Sequence, residues 1–320
     1  MGKITYNPED FQVAAIKYRK ELITLPIIAL EASTRYMTVM PGIAGKEVFG
    51  AGNMDAQFAP YKANRKGDAG LALDMRVLET YFGNVVETFE PNQAVKTVFA
   101  ASAGTLGDSQ KNAPLTKLAL ASLAKNLGKN LNNVLWNAKR NEGGDTSKEL
   151  FDGFDTITQA ELTATNLSAD KKNYIKMTED ITNVNAVDVV KSWIQKMTPE
   201  LREQDTLAFV PWKIYDNYCE AYKVTGAGLQ YNKTYEQIYV EGSNHKCTLV
   251  PMANKEGSDF VHITTKDNML VGCDQMSDNE RIQVDRFSPF ELTFSAAMFF
   301  GTQFRSIVGS KMLVVDLRKS

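Results

Sequence analysis

The chain is short of the residues on which most enzymes and metal proteins depend. Its 320 residues include three cysteines and two histidines. Cys219, Cys247 and Cys273 lie 28 and 26 positions apart and never form a CxxC pair. An odd, scattered set of this kind argues against a disulfide framework or a zinc cluster and fits a reducing compartment. Neither His245 nor His262 belongs to an HExxH pattern, so each reads as a surface or strand residue. Long apolar runs are missing as well. The longest near the N-terminus, Leu25 to Leu30, is six residues long and contains Pro26, which excludes a signal peptide or membrane span there. Gly2 is followed by Tyr6 where a myristoylation motif needs Ser or Thr. Nor is there an excess of charge. The 36 basic and 38 acidic side chains nearly cancel, leaving no field to hold a polyanion by counterion release.

Sites for chemistry fare no better. Gly50-Ala51-Gly52 lacks the third glycine of a dinucleotide fingerprint, and Gly42 to Lys46 lacks Walker spacing. The acidic group Asp267, Asp274, Asp278, Glu280 and Asp285 has no glycine at the sixth position of a calcium loop and reads as solvated turns. His245 and Cys247 would share a strand face, yet catalytic partners generally come from separate segments. No catalytic residue, cofactor or metal is therefore expected.

What the chain does contain is ordinary globular material, 43% hydrophobic and 23% charged, enough for two or three lobes. An N-terminal stretch with a short amphipathic segment, Phe11 to Leu25, ends at Pro41-Gly42. From Gly42 to Glu90 seven glycines punctuate long polar intervals. Leu71, Leu73, Met75 and Val77 then alternate with Ala72, Asp74 and Arg76, which predicts a strand with one buried face. Such an excursion cannot build its own core and must lean on something else, a neighbouring subunit being one candidate.

Leu115 to Arg140 carries apolar residues at helical spacing and predicts a helix about 39 Å long at ~1.5 Å per residue. Its lysines, Lys117, Lys125, Lys129 and Lys139, read as a solvated face because no aromatics interleave with them. A second amphipathic helix is expected over Ala186 to Met197, and Thr198-Pro199-Glu200 restarts another with a cap, a first-position proline and an acid. Strands are expected at Thr206 to Val210, Tyr235 to Val240, His245 to Val250, Phe260 to Thr264 and Lys311 to Leu317, with a helix over Trp212 to Tyr222. The fold class is α+β, helices in the middle and strands toward both ends.

That order of elements resembles the HK97-type major capsid proteins of tailed phages. The likeness is carried by Met40-Pro41-Gly42 through Gly52-Asn53-Met54-Asp55, by Gln57 to Tyr61, and by Arg76-Val77-Leu78-Glu79 with Phe89-Glu90-Pro91. These resemble the E-loop and its return strand in coat proteins of Bacteroides-type prophages. Asn268 to Asp274, closed by Phe299-Phe300-Gly301-Thr302-Gln303, resembles the family's C-terminal signature. The resemblance implies an N-terminal arm over 1–41, an E-loop β-hairpin over 42–91, a P-domain over 92–225 with its spine helix at 115–140, and an A-domain with the C-terminal P-domain strands over 226–320.

It further implies a coat protein that self-assembles into hexamers and pentamers around double-stranded DNA, with no enzymatic activity. Its expected place is the virion, after assembly in the bacterial cytoplasm. Expected partners are other copies of itself, a separate scaffolding protein, and portal and decoration proteins. Packaged DNA would touch the inner face without sequence specificity, and no membrane is involved. At the E-loop, Met54, Phe58 and Tyr61 are expected to make apolar inter-subunit contacts, and Lys62, Arg65 and Lys66 polar ones. The rivals are an encapsulin-type compartment shell of the same fold and an unrelated cytoplasmic enzyme or binding protein.

Overall fold

A computed structural model describes residues 30, 32–54, 71–89, 113–225, 239–273, 282–288 and 291–319. Within them the strands are β1 (Thr38–Pro41), β2 (Lys46–Met54), β3 (Leu71–Glu79), β4 (Tyr81–Phe89), β5 (Tyr174–Lys176), β6 (Thr206–Pro211), β7 (Cys247–Met252), β8 (Phe260–Thr264), β9 (Met269–Cys273), β10 (Ile282–Ser288), β11 (Glu291–Phe304) and β12 (Met312–Asp316). The helices are α1 (Ala113–Val134), α2 (Phe154–Thr163), α3 (Ala186–Lys196), α4 (Pro199–Arg202) and α5 (Trp212–Thr225).

The strands form three sheets. The first runs β1-β9-β11-β10, with β4 on the other edge of the long β11. The second runs β5-β12-β8-β6-β7, and β2 with β3 makes a two-stranded ribbon. Period-2 alternation explains why the second sheet is central. Ala208, Val210, Val261, Ile263, Leu313 and Val315 face a core shared with α3 and α5, including Trp193, Ile194 and Tyr218. The intervening Phe209, Phe260, Met312 and Val314 face a second core with Trp136, Phe154, Phe300 and Phe304. A sheet covered on both faces reads as continuous apolar runs, as MLVVD of β12 does.

Several local signals act as the sequence predicts. Thr198 caps α4 through a bond accepted from Leu201 N–H, and Pro199 fills the first helical position, where no N–H is needed. Lys125, Lys129 and Lys139 are exposed.

Three expectations are corrected. The long helix stops at Val134, six residues short of Arg140. Leu135, Trp136 and Ala138 continue the apolar rhythm, but they bury by leaving the helix. The carbonyls of Leu135 and Trp136 accept from the N–H groups of Phe154 and Asp155, so the end of the α1 segment meets the start of α2. The strand placed at His245 begins at Cys247, because Asn244 and His245 adopt positive φ (51° and 61°) in a turn. His245 is exposed and stacks on Tyr239, while burial pushes the Cys247 thiol up to about 11, so the two form no activated dyad. Of the strand expected at Tyr235 to Val240, residues 235–238 lie outside the described residues, and Tyr239 makes an isolated bridge to Thr248. The third is the face of β3, whose Met75 and Val77 are exposed.

Candidate assembly surface

The ribbon is nine cross-strand pairs long, from Lys46 opposite Glu79 to Met54 opposite Leu71. Its root is held by buried Thr80, whose hydroxyl donates to Ile43 O at 3.0 Å and accepts from Gly45 N at 2.9 Å. The Thr80 N–H donates to Gly45 O at 2.7 Å. Gly45 sits at φ +117°, a conformation that a side chain would strain. Beneath the root, Gly272 of β9 lies opposite Gly301 of β11. A Cβ on Gly301 would run into Glu79 O, and one on Gly272 would come within 2.7 Å of the Thr80 methyl. This glycine pair is the seat on which the ribbon rests, and it lies inside the two stretches that carry the C-terminal resemblance.

One face of the ribbon is tied to the body. Leu78 is fully buried against Ile43 and Leu270, with Met40 and Phe49 packed alongside. Arg76 binds Glu161 of α2 at 2.6 Å, with side chains only 10% and 17% exposed, and donates to Phe304 O and Gln303 Oε1, both at 3.0 Å. Gln303 returns a bond from Nε2 to Val77 O. Such partly buried, multiply bonded ion pairs hold geometry far better than exposed ones. Beside the root, burial and the adjacent Glu79 carboxylate push the Tyr81 hydroxyl up to about 12, under the Arg140 guanidinium that covers its ring.

The opposite face carries the third correction. Val48, Met75 and Val77 are 60%, 59% and 42% exposed, so the alternation does not mark a face buried within the chain. Val48 lies directly opposite Val77, and Gly50 opposite Met75, making one apolar stripe with nothing of this chain over it among the described residues. On β4, Phe82 and Val86 are exposed too, and Phe82 leans on Phe299 across the strand pair at 5.1 Å. Exposed apolar residues grouped on paired strands are what interaction sites look like.

Of the residues expected at the interface, Met54 ends β2, while Phe58, Tyr61, Lys62, Arg65 and Lys66 lie outside the described residues. Val48, Phe82 and Val86 were missed. Apolar residues on a strand give no sign by themselves of whether the rest of the chain covers them. Among the described residues, no group of three or more His, Cys, Asp or Glu could hold a metal, and no helix is long and apolar enough to cross a membrane.

No family model matches the sequence, and no curated protein matches it. Solved structures do. The chain is similar to one from the satellite phage P4 procapsid that includes the size determination (Sid) protein, with a TM-score of 0.55 and 15% identity over 93% of this chain and 99% of that one. It is similar to the capsid asymmetric unit of cyanophage A-1(L), with a TM-score of 0.55 and 11% identity over 92% and 93%. It is likewise similar to the capsid of Ralstonia phage GP4, with a TM-score of 0.52 and 10% identity over 91% and 89%. Matches that span nearly the whole of both chains give the architecture: the chain has the α+β HK97-type fold.

Proposed function

We propose that the chain is a major capsid protein that assembles with itself into hexamers and pentamers, forming an icosahedral head around double-stranded DNA, and that it is not an enzyme acting on an outside substrate. The apolar outer stripe of the ribbon, Val48, Met75 and Val77, carries this reading. A monomer has no reason to hold such a stripe rigidly toward water through Arg76 and Thr80, whereas a ring of subunits covers it with each neighbour. Closed rings then convert modest pairwise contacts into a cooperative shell. Met54 at the end of the ribbon, with Phe58 and Tyr61 after it, would extend the apolar contact, and Lys62, Arg65 and Lys66 would add polar contacts at the loop tip.

In this reading residues 1–41 are the arm, 42–91 the E-loop, 92–225 the P-domain and 226–320 the A-domain with the C-terminal P-domain strands. A separate scaffolding protein, a portal and decoration proteins complete the particle, which is built in the bacterial cytoplasm and ends as the virion capsid. The purified chain, with scaffold supplied if needed, is expected to form rings or shells under the electron microscope and a matching mass in solution. A stable monomer at every concentration and with scaffold present would refute the assignment. Shells filled with an enzyme and no DNA in the native host would move it to the compartment class.

A further inference from the structure

Lys255 is the one fully buried charged side chain among the described residues, and it is surrounded by groups that could react with it. It ends the short 3-10 turn Ala253–Lys255 between β7 and β8. Its Nζ lies 3.1 Å from Asp155 Oδ1, 3.2 Å from His262 Nδ1 and 3.2 Å from Ser258 Oγ, with the Trp136 ring centroid 3.6 Å away. Asp155 belongs to the first turn of α2, 100 residues earlier. Its side chain is 13% exposed and borders an open cleft of about 440 Å³ that Trp136, Asn137, Asn254 and Phe260 also line.

The hydrogen bonds also orient the histidine. Thr158 Oγ1 donates to Phe154 O at 2.7 Å, so toward His262 Nε2, 2.8 Å away, it acts as acceptor. His262 therefore carries its proton on Nε2 and turns the lone pair of Nδ1 toward Lys255. Burial, reinforced by the Lys255 charge, keeps this imidazole neutral by holding it well below its ordinary range. Burial likewise brings the lysine down to about 8 despite the opposing pull of Asp155. A nucleophile and a base thus lie fully buried beside a carboxyl group that opens to solvent through the cleft.

We propose that Lys255 and Asp155 are a self-modifying pair that condenses into an intramolecular amide, with His262 as the base. A proton passes from the ammonium to the carboxylate, giving an amine and a carboxylic acid. The Nζ lone pair attacks Asp155 Cγ and the C–N bond forms. His262 Nδ1 takes a proton from the attacking nitrogen and hands it to a hydroxyl on Cγ. The C–O bond breaks and water departs into the cleft. Ammonium plus carboxylate become amide plus water, with no oxidant or outside reactant. Contact enforced by the fold supplies the effective concentration, and the product replaces the fully buried Lys255 charge and the partly buried Asp155 charge with a neutral group. The bond would staple α2 to the second sheet within one subunit, whether or not shells form.

The test is the intact mass of the denatured full-length chain, followed by mapping of its tryptic peptides. The expected result is a mass one water below that of the sequence and a branched peptide joining Lys255 to Asp155, with Lys255→Arg returning the full sequence mass. The unmodified mass in the wild-type chain would overturn the proposal and leave the pair a plain buried ion pair. Loss of water with only linear peptides, as from a cyclic imide at an aspartate, would overturn it equally.

Discussion

The β2–β3 ribbon and the second sheet use the same kinds of residue and dispose of them in opposite ways. In the sheet, successive residues of β6, β8 and β12 enter one or other of two cores, so both faces are dry. In the ribbon one face is fastened to the body through Leu78 and Arg76, and the other offers Val48, Met75 and Val77 to water. The sheet completes itself within one chain, whereas the ribbon keeps one apolar face uncovered among the described residues, the face that the proposed assembly would cover. If the proposed assembly holds, the molecule divides its apolar surface between folding and assembly, and mutations should separate the two.

The largest effect on folding is expected in the sheet. Phe209→Ala removes a ring that meets Trp136 and Tyr36 and should cost about 3–5 kcal/mol, read as a shifted denaturation midpoint. Arg76→Ala should cost about 2–3 kcal/mol by removing the charged partner of the Glu161 carboxylate, which keeps only its bond from Asn166. It should also speed amide exchange in β2 and β3 while the second sheet stays protected, and equal exchange in both would mean that Arg76 does not position the ribbon. Gly301→Ala forces a methyl into Glu79 O and should cost about 1–3 kcal/mol, by calorimetry, with the ribbon displaced from its seat.

The smallest effect on folding, about 0.5 kcal/mol or less, is expected from Val48→Lys combined with Val77→Glu, a cross-strand pair of opposite charge on an exposed face. The same variant should abolish shells, by electron microscopy. Shells of normal yield would show that the stripe is not an interface. Alkaline pH offers a weaker handle that acts on both regions. The hydroxyls of Tyr81, at the ribbon root, and of Tyr174 and Tyr218, beside the second sheet, rise from 10.0 to about 12, chiefly through burial. Their folded pKa values lie above the unfolded one, so their contribution is intact below pH 10 and lost as pH rises toward 12. Chemical denaturation across that window should show a falling stability, with a shallower fall in Tyr81→Phe and Tyr218→Phe.

Much of the fold could be read in advance where the signal is local. The amphipathic stripe of α3 and the Thr198-Pro199 cap depend on residues three or four apart, and both stand where the spacing places them. The stop of α1 at Val134 was not readable, because Trp136 and Ala138 keep helical spacing and the groups that draw the chain out of the helix, the N–H groups of Phe154 and Asp155, come eighteen or more residues later. His262 read as a strand residue and is one, but its burial beside Lys255 depends on β8 lying against α2. A lysine in a polar turn gives no sign that it will be enclosed.

By itself the sequence determined the α+β character, the central helices, the apolar strands and the glycine-punctuated excursion, since each follows from local spacing and backbone conformation. Tertiary structure alone decided which apolar face stays wet, which lysine is buried and why Gly272 and Gly301 must be bare. Those outcomes depend on what packs opposite a residue, and the partners lie scores to hundreds of positions away along the chain.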